Sequence, residues 1–215
     1  MVEWLTRGGG LIDLFNRGGF AMWILLVLSI IAIAVIIERI ITLARARLNP
    51  KKFVGKIREQ IEASGMKGGE ELCNRTASPI AKVFLPAIQR YRLGKEAIEE
   101  AIARAGTTEL AFLDRGMLIL AAVATVAPLV GFLGTVLGMI RAFGTIEAMG
   151  EVEPAAVAGG ISEALITTAA GLIIAAPVAI CHAFFTSRIN GYTRDMEDGA
   201  NELVEYLLEK KETRA

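Results

Sequence analysis

The chain has 215 residues, of which 53% are hydrophobic and 21% are charged, and its formal net charge is zero at pH 7. Its mean hydropathy of +0.50 is too high for an ordinary soluble domain, yet its charged fraction is too high for a chain that lies in the membrane throughout. We therefore expect a membrane protein with sizeable regions outside the bilayer.

Three apolar stretches are each long enough to cross a bilayer as a helix, because a helix rises by about 1.5 Å per residue. They comprise residues 20–37, 116–140 and 161–185. A cleavable signal peptide is the alternative for the first stretch, but this stretch starts late and ends in Glu38-Arg39 without a clear small-residue cleavage site. The sequence therefore predicts three retained spans.

The positive charges are distributed unevenly about these spans. Of the 23 lysines and arginines, 15 lie between Arg39 and Arg115, five follow the third span, and only Arg7 and Arg17 precede the first span. Because lysine and arginine accumulate on the cytoplasmic side, we expect an outer N-terminus and a cytoplasmic C-terminus. This topology divides the chain outside its spans into an outer segment 1–19, a cytoplasmic helical region 38–115, an outer turn 141–160 and a cytoplasmic C-terminal helix 186–215.

The N-terminal segment contains two glycine clusters that flank the sequence LIDLFNR. These residues suit a short amphipathic helix on the outer membrane surface, with Leu11, Leu14 and Phe15 in the lipid. A frayed tail is an equally good interpretation.

Helices are also expected in the region between the first two spans. Phe53, Ile57 and Ile61 recur at helical spacing, and a Gly-rich break follows at Gly65 and Gly68-Gly69. A second helix is expected to begin at Ser78-Pro79, and a third, from Lys95, to run into the second span with Gly106 as its weak point.

The C-terminal segment carries one apolar stripe at roughly helical intervals, formed by Ile189, Met196, Leu203, Tyr206 and Leu207. No stretch of useful length shows strand-like alternation. We therefore expect an all-α protein whose cytoplasmic part is a helical extension of the spans rather than a separate fold.

Small residues in the second and third spans indicate close packing between helices. In the second span, Gly131, Gly134 and Gly138 leave a face that another helix backbone can approach. The third span has one continuous small face, formed by Gly160, Ala164, Thr168, Gly171, Ala175 and Ala179.

Thr135, Thr168 and Glu163 are the candidate polar groups of the spans. Counted from the span ends, both threonine hydroxyls are expected at one depth, about 8 to 10 Å below the outer surface. Two hydroxyls can hydrate a pore, although a threonine does not titrate near neutral pH. Thr135 could instead bond back to the carbonyl of Gly131. Glu163 could either line a polar interior or favour the dipole at the start of its helix.

Apart from Glu163, the spans contain no aspartate, glutamate, lysine or arginine, and His182 lies near the inner end. If protons cross, a partner helix must therefore supply the carboxylate. The two cysteines, Cys73 and Cys181, are expected to be reduced thiols without a metal role. Because no nucleophile–base pair, phosphate loop, metal cluster or basic–aromatic pattern occurs, we expect no enzyme, no cofactor and no nucleic-acid partner.

The stretch APLVGFLGTVLGMIRAF resembles the second-span motif of the MotA/TolQ/ExbB proton channel family, and GGISEALITTAAGLIIAAPVAI resembles its third-span motif. The resemblance implies a homopentamer in a bacterial inner membrane, surrounding the single transmembrane helices of an ExbD- or TolR-type partner whose aspartate carries the proton. It also implies that Thr135 and Thr168 are pore threonines, and it matches Glu163 to the acidic residue five positions before the third-span threonine.

Within this family, a chain of 215 residues with three spans resembles ExbB or TolQ more than the four-span flagellar MotA. The N-terminal segment and the compact length favour ExbB slightly. The resemblance then implies a motor subunit that uses the proton motive force to energise a TonB-like protein and, through it, transport across the outer membrane. The alternatives are a TolQ-type subunit of the Tol-Pal envelope system and a non-conducting membrane scaffold.

Overall fold

The computed structural model describes residues 10–46, 48–150 and 154–212, and these residues are helical apart from short connections. The prediction of an all-α fold is confirmed. In chain order the helices are α1 (Gly10–Arg17), α2 (Gly19–Ala46), α3 (Pro50–Ser64), α4 (Met66–Arg75), α5 (Pro79–Gln89), α6 (Lys95–Leu113), α7 (Met117–Met149) and α8 (Pro154–Glu212), with a 3-10 turn at Tyr91–Leu93.

Three helical stretches are long and apolar enough to cross a membrane, and they are formed by α2, by α6 with α7, and by α8. Both α7 and α8 extend into the segment predicted as an outer turn, since α7 ends at Met149 and α8 begins at Pro154. The positions of the membrane boundaries along these helices stay a prediction.

The chain divides into two compact units. The first comprises Met1–Ile37 with Gly116–Ala183, and the second comprises Glu38–Arg115 with Phe184–Ala215, each within the described residues. Helices α2 and α8 continue beyond the predicted spans, as expected. The expectation that this extension is not a separate fold is wrong, because the second unit has a hydrophobic core of its own.

The core of the second unit is formed by α3, α5, α6 and the C-terminal part of α8. The stripe predicted in α3 is buried, and so is the stripe predicted in α8. The rings of Phe53 and Phe84 stack with their centroids 6.2 Å apart. The large apolar side chains of this unit with the least exposure are Phe84, Ile57, Ile61, Ile80, Ile88, Ile98, Leu113, Leu203 and Leu207.

Two glycines mark real breaks between helices. Gly65, with φ at 69°, separates α3 from α4, and Gly116, with φ at 83°, separates α6 from α7. Few other residues tolerate this left-handed conformation. The predicted break at Gly68-Gly69 is wrong, because both residues lie inside α4. The predicted continuous helix into the second span is also wrong, because it breaks at Gly116 and not at Gly106.

The N-terminal segment forms a helix, as one of its two interpretations predicted, over Gly10–Arg17. Phe15 packs edge-on against Trp23 of α2, with ring centroids 4.9 Å apart. The first nine residues, which include most of the first glycine cluster, lie outside the described residues.

Cys73 is buried on α4 as a free thiol. Burial raises the pKa of this thiol to about 12, with a further contribution from the carboxylate of Glu70. The thiol is therefore protonated at neutral pH and is a poor nucleophile. Cys181, on α8, is also free and is half-buried.

Arg39 is the largest fully buried side chain, with 1% of its surface exposed. Its Nη1 donates a hydrogen bond to the carbonyl of Leu113 at 2.8 Å, and Nε and Nη2 donate to the carboxylate of Glu38. The last carbonyls of a helix have no partner within it. The guanidinium therefore caps the C-terminus of α6 and fastens α2 to it within the second unit.

Replacing Arg39 by methionine should lower the free energy of unfolding by about 2 to 3 kcal/mol, because the Leu113 carbonyl and Glu38 lose a buried charged partner. Detergent-solubilised protein unfolded with increasing SDS would measure the change. Arg45→Met is the matched control, since Arg45 lies exposed on the same helix. An equal loss of unfolding free energy in the two variants would show that the buried contacts of Arg39 contribute nothing to stability.

Candidate functional site

Helices α7 and α8 of the first unit pack with their backbones close together. A Cβ atom added to Gly138 would lie 2.6 Å from the carbonyl oxygen of Gly160, and one added to Gly171 would lie 2.6 Å from the carbonyl oxygen of Ala127. Real Cβ atoms do not come this close to a backbone oxygen, so only glycine fits at either position. This approach creates the polar geometry of the site, because it brings backbone carbonyls to the partner helix.

The small residues predicted to pack the helices lie at this contact. Gly131 faces the backbone of Thr167 and Thr168, and Gly134 faces the side chain of Thr167. The packed face of small residues on α8 is shorter than predicted, because Ala179, the last residue of the predicted face, is exposed. Five of the predicted packing residues are buried, namely Gly131, Gly134, Gly138, Gly171 and Ala175.

The hydroxyl of Thr168 bridges the two helices. It donates to the carbonyl of Gly131 on α7 at 3.3 Å and to the carbonyl of Ala164 on its own helix at 3.2 Å. The hydroxyl of Thr135 donates at 2.6 Å to the carbonyl of Phe132, rather than to that of Gly131. Thr168 is thus bound at the interface, whereas Thr135 bonds only within its own turn.

The two threonine hydroxyls lie at similar levels along α7. They donate to the carbonyls of adjacent residues, Thr168 to Gly131 and Thr135 to Phe132, which differ by about 1.5 Å of helical rise. Their depth below the membrane surface stays a prediction.

Thr167 is a polar residue of the contact that was not among the candidates. Its side chain is fully buried, and its hydroxyl donates to the carbonyls of Glu163 and Ala164, both at 3.0 Å. A Cβ on Gly134 would overlap this hydroxyl. The spacing of Ala164, Thr167 and Gly171 by three and four residues could have placed Thr167 on the packed face.

Glu163 has a partner that the sequence did not reveal. Nη1 of Arg141 donates to both carboxylate oxygens of Glu163, at 2.7 and 2.8 Å. The Glu163 side chain is 13% exposed and that of Arg141 is 57% exposed. Arg141 was expected in the turn after the second span, but it lies within α7 and faces α8.

The interpretation of Glu163 as a helix-start residue is wrong. Helix α8 begins at Pro154, more than two turns before Glu163, and a helix dipole acts within the first turn. The carboxylate instead packs against the first residue of α2, because a Cβ on Gly19 would overlap its Oε1 atom. Gly19, Arg141 and Glu163 therefore form a polar junction at which α2, α7 and α8 meet.

Thr135 lies in an open groove along one face of α7. The other residues that line this groove are largely apolar, and they are Val136, Met139, Ile140, Phe143, Gly144 and Glu147. Since α8 covers the glycine face, this groove is a surface of α7 that another helix can still contact. No group of three or more histidine, cysteine, aspartate or glutamate side chains that could hold a metal occurs in the described ranges.

This arrangement packs two helices closely, places the Thr168 hydroxyl between them and holds the Arg141–Glu163 ion pair beside them. The family profile of the MotA/TolQ/ExbB proton channel family matches residues 75–198, which is more than half of the chain. The chain belongs to the MotA/TolQ/ExbB proton channel family. It is a multi-pass membrane protein and a transport protein rather than an enzyme, as the sequence predicted.

Several of the individual relatives carry ExbB or ExbB-like names. The chain is 30% identical to the biopolymer transport protein ExbB of Neisseria meningitidis, over 88% of this chain and 91% of the relative. It is 32% identical to the putative biopolymer transport protein ExbB-like 1 of Synechocystis, over 80% and 68%. A putative ExbB homolog of the archaeon Methanothermobacter thermautotrophicus is 28% identical over 85% of this chain, which spans only 65% of that relative. These names favour an ExbB-like role.

Gly138→Ala should destabilise the α7–α8 pair by about 1 to 3 kcal/mol, because the new methyl group meets a backbone carbonyl that cannot move aside. Gly144→Ala on the same helix is the control, since a Cβ there meets nothing within 4 Å. Alanine is also the better helix former, so this control should be neutral or slightly stabilising. The midpoints of SDS unfolding would measure the stability of both variants. Equal changes in stability would contradict a tight contact at Gly138.

The Arg141–Glu163 pair should show a coupling energy of about 1 kcal/mol, because one partner is shielded while the other remains solvated. The double-mutant cycle uses Arg141→Gln, Glu163→Gln and the combined variant, with unfolding free energy as the readout. If the two single effects simply add, the ion pair contributes nothing to stability.

Proposed function

We propose that the chain is the ExbB-type subunit of a proton-driven motor in a bacterial inner membrane, with its N-terminus periplasmic and its C-terminus cytoplasmic. One observation carries this proposal. In this member of the proton channel family, the hydroxyl of Thr168 lies at the contact between α7 and α8 and donates to a carbonyl of each helix. The distribution of lysine and arginine supports the orientation.

The proton itself must be carried by another chain. A threonine hydroxyl can donate and accept a hydrogen bond but does not titrate near neutral pH, so Thr135 and Thr168 can only relay or hydrate. Glu163 is the single acidic residue of the predicted spans, and its carboxylate is engaged by Arg141. We therefore propose that the transported proton is bound and released by the carboxylate of an aspartate on the transmembrane helix of an ExbD-like subunit.

The free surface of α7 supports the presence of such a partner. The glycine face of α7 is occupied by α8, whereas the Thr135 groove and the large apolar side chains beside it are exposed. In a membrane this face contacts lipid, a second copy of the chain or a partner helix. In our proposal copies of the chain form a pentamer around the partner helices, and Thr135 lies along the proton path.

Proton flow would then move the partner subunits and energise a TonB-like protein, which drives transport across the outer membrane. Each step of this coupling requires the ExbD-like subunit, so the complex and not the isolated chain is the functional unit. The names of the relatives support the ExbB-type role over the TolQ-type role in the Tol-Pal system.

Thr168→Val should reduce proton-driven uptake about tenfold while the complex still assembles, because valine lacks the hydroxyl that relays or hydrates the proton path, and this loss is smaller than that of a titrating acid or base. Valine keeps the shape of threonine, so the van der Waals contact between the helices is retained while the hydrogen bond to the Gly131 carbonyl is lost. The control is Thr125→Val, since the Thr125 hydroxyl bonds only to the Ala121 carbonyl of its own helix. Uptake by whole cells and recovery of the single-span partner on purification are the two measurements.

Wild-type uptake by the Thr168→Val variant would remove this hydroxyl from the pathway. Purification without any single-span partner under gentle extraction would instead favour the non-conducting scaffold.

A further inference from the structure

Glu163 and Thr168 lie at the two edges of the face of α8 that packs against α7. At about 100° per residue, these two residues are about 140° apart around the helix. Ala164 and Thr167 lie between them and face α7, since Cβ atoms added to the glycines of α7 would meet them. The packed face of α8 is therefore bounded by one polar residue on each side.

The edge at Glu163 is held by Arg141 of α7. Nη1 of Arg141 alone donates to both carboxylate oxygens, at 2.7 and 2.8 Å. Helical side chains point towards the N-terminus of their own helix. Because α7 and α8 are antiparallel, the side chains of Arg141 and Glu163 extend towards each other and meet between the helices.

The carboxylate of Glu163 has little room to follow a movement of α8. A Cβ atom on Gly19 of α2 would overlap its Oε1 atom, and only 13% of the Glu163 side chain is exposed. A rotation of α8 about its own axis would therefore break the bonds to Arg141 or press the carboxylate against α2. The ion pair thus opposes rotation of α8.

The edge at Thr168 is sensitive to the same rotation. The hydroxyl of Thr168 lies 3.3 Å from the carbonyl oxygen of Gly131, which is already longer than a typical O–H···O bond. A side-chain atom about 5 Å from the helix axis moves by about 1 Å when the helix rotates by about 10°. The packed face between the two edges consists mainly of glycine and alanine, which have no long side chain to resist such a rotation.

We propose that Arg141 is a positioning residue for the Thr168 hydroxyl. By binding Glu163 it fixes the rotation of α8 about its axis, and this rotation keeps the hydroxyl at the Gly131 carbonyl. Arg141 does not carry the proton itself, because a guanidinium stays protonated in proteins. The inference rests on the proposed function, in which Thr168 lies on the proton path.

The geometry of the ion pair predicts which substitutions at position 141 keep this role. Since one nitrogen makes both bonds, the single ammonium of lysine can replace it, and its bonds remain charge-assisted. Glutamine is shorter and uncharged, so Arg141→Gln loses the restraint on Glu163.

Proton-driven uptake by whole cells tests the proposal. Arg141→Gln should lower uptake about fivefold, because a misplaced group loses much of its effect, whereas Arg141→Lys should retain most of the uptake. Arg17→Gln is the matched control, since Arg17 forms an exposed ion pair with Asp13 of its own helix, and it should transport like the wild type. Recovery of the single-span partner on purification shows that each variant assembles.

A double variant separates positioning from a general structural role. If Arg141 acts through the hydroxyl of Thr168, then Arg141→Gln combined with Thr168→Val should transport as well as Thr168→Val alone, because the group to be positioned is already absent. Losses that multiply in the double variant would overturn the proposal, since Arg141 would then act independently of Thr168.

The single variants distinguish this inference from the proposed function. Wild-type uptake by Thr168→Val alone would contradict the proposed function, and the positioning role would be refuted with it. Reduced uptake by Thr168→Val together with wild-type uptake by Arg141→Gln would overturn the positioning role and leave the proposed function intact.

Discussion

The close approach of α7 and α8 is the constraint on which the rest of the first unit depends. Gly138 and Gly171 admit the opposing backbone, and Gly131 and Gly134 make room for Thr167 and Thr168. In lipid there is little hydrophobic gain from bringing two helices together, so the stability of this pair comes from van der Waals contact and interhelical hydrogen bonds. Any side chain on the glycine face would separate the helices and remove the bond between Thr168 and Gly131.

This contact also determines which polar groups are free to act. It buries Thr167, uses the hydroxyl of Thr168 as a bridge, and leaves Thr135 on the open side of α7. The register then brings Arg141 opposite Glu163, where the pair meets the glycine that begins α2. This one packed face therefore determines the surroundings of all five polar side chains.

Features governed by hydropathy and periodicity were predictable from the sequence. Long apolar runs identify α2, α7 and α8, and the spacing of Phe53, Ile57 and Ile61 identifies a buried face, because burial of apolar surface decides both. The family could also be recognised from two motifs, since glycines and threonines at fixed spacing are far more specific than apolar composition.

Features that depend on helix rotation or on a distant partner were not predictable. Thr167 and Thr168 differ by about 100° around α8, and hydropathy alone cannot select the one that faces Gly134. The apolar run predicts a second span that ends at Ile140, but helix α7 continues through Arg141, whose partner Glu163 lies on α8. The break at Gly116 depends on a backbone dihedral that composition does not encode.

The core of the second unit has a consequence for the order in which the protein matures. Its walls come from α3, α5 and α6, but Leu203 and Leu207 of α8 close it, and the ribosome makes these residues after the last span. Until then the core lacks the apolar side chains that α8 contributes. The second unit can therefore complete its fold only after the third span has been synthesised, although most of its residues precede the second span.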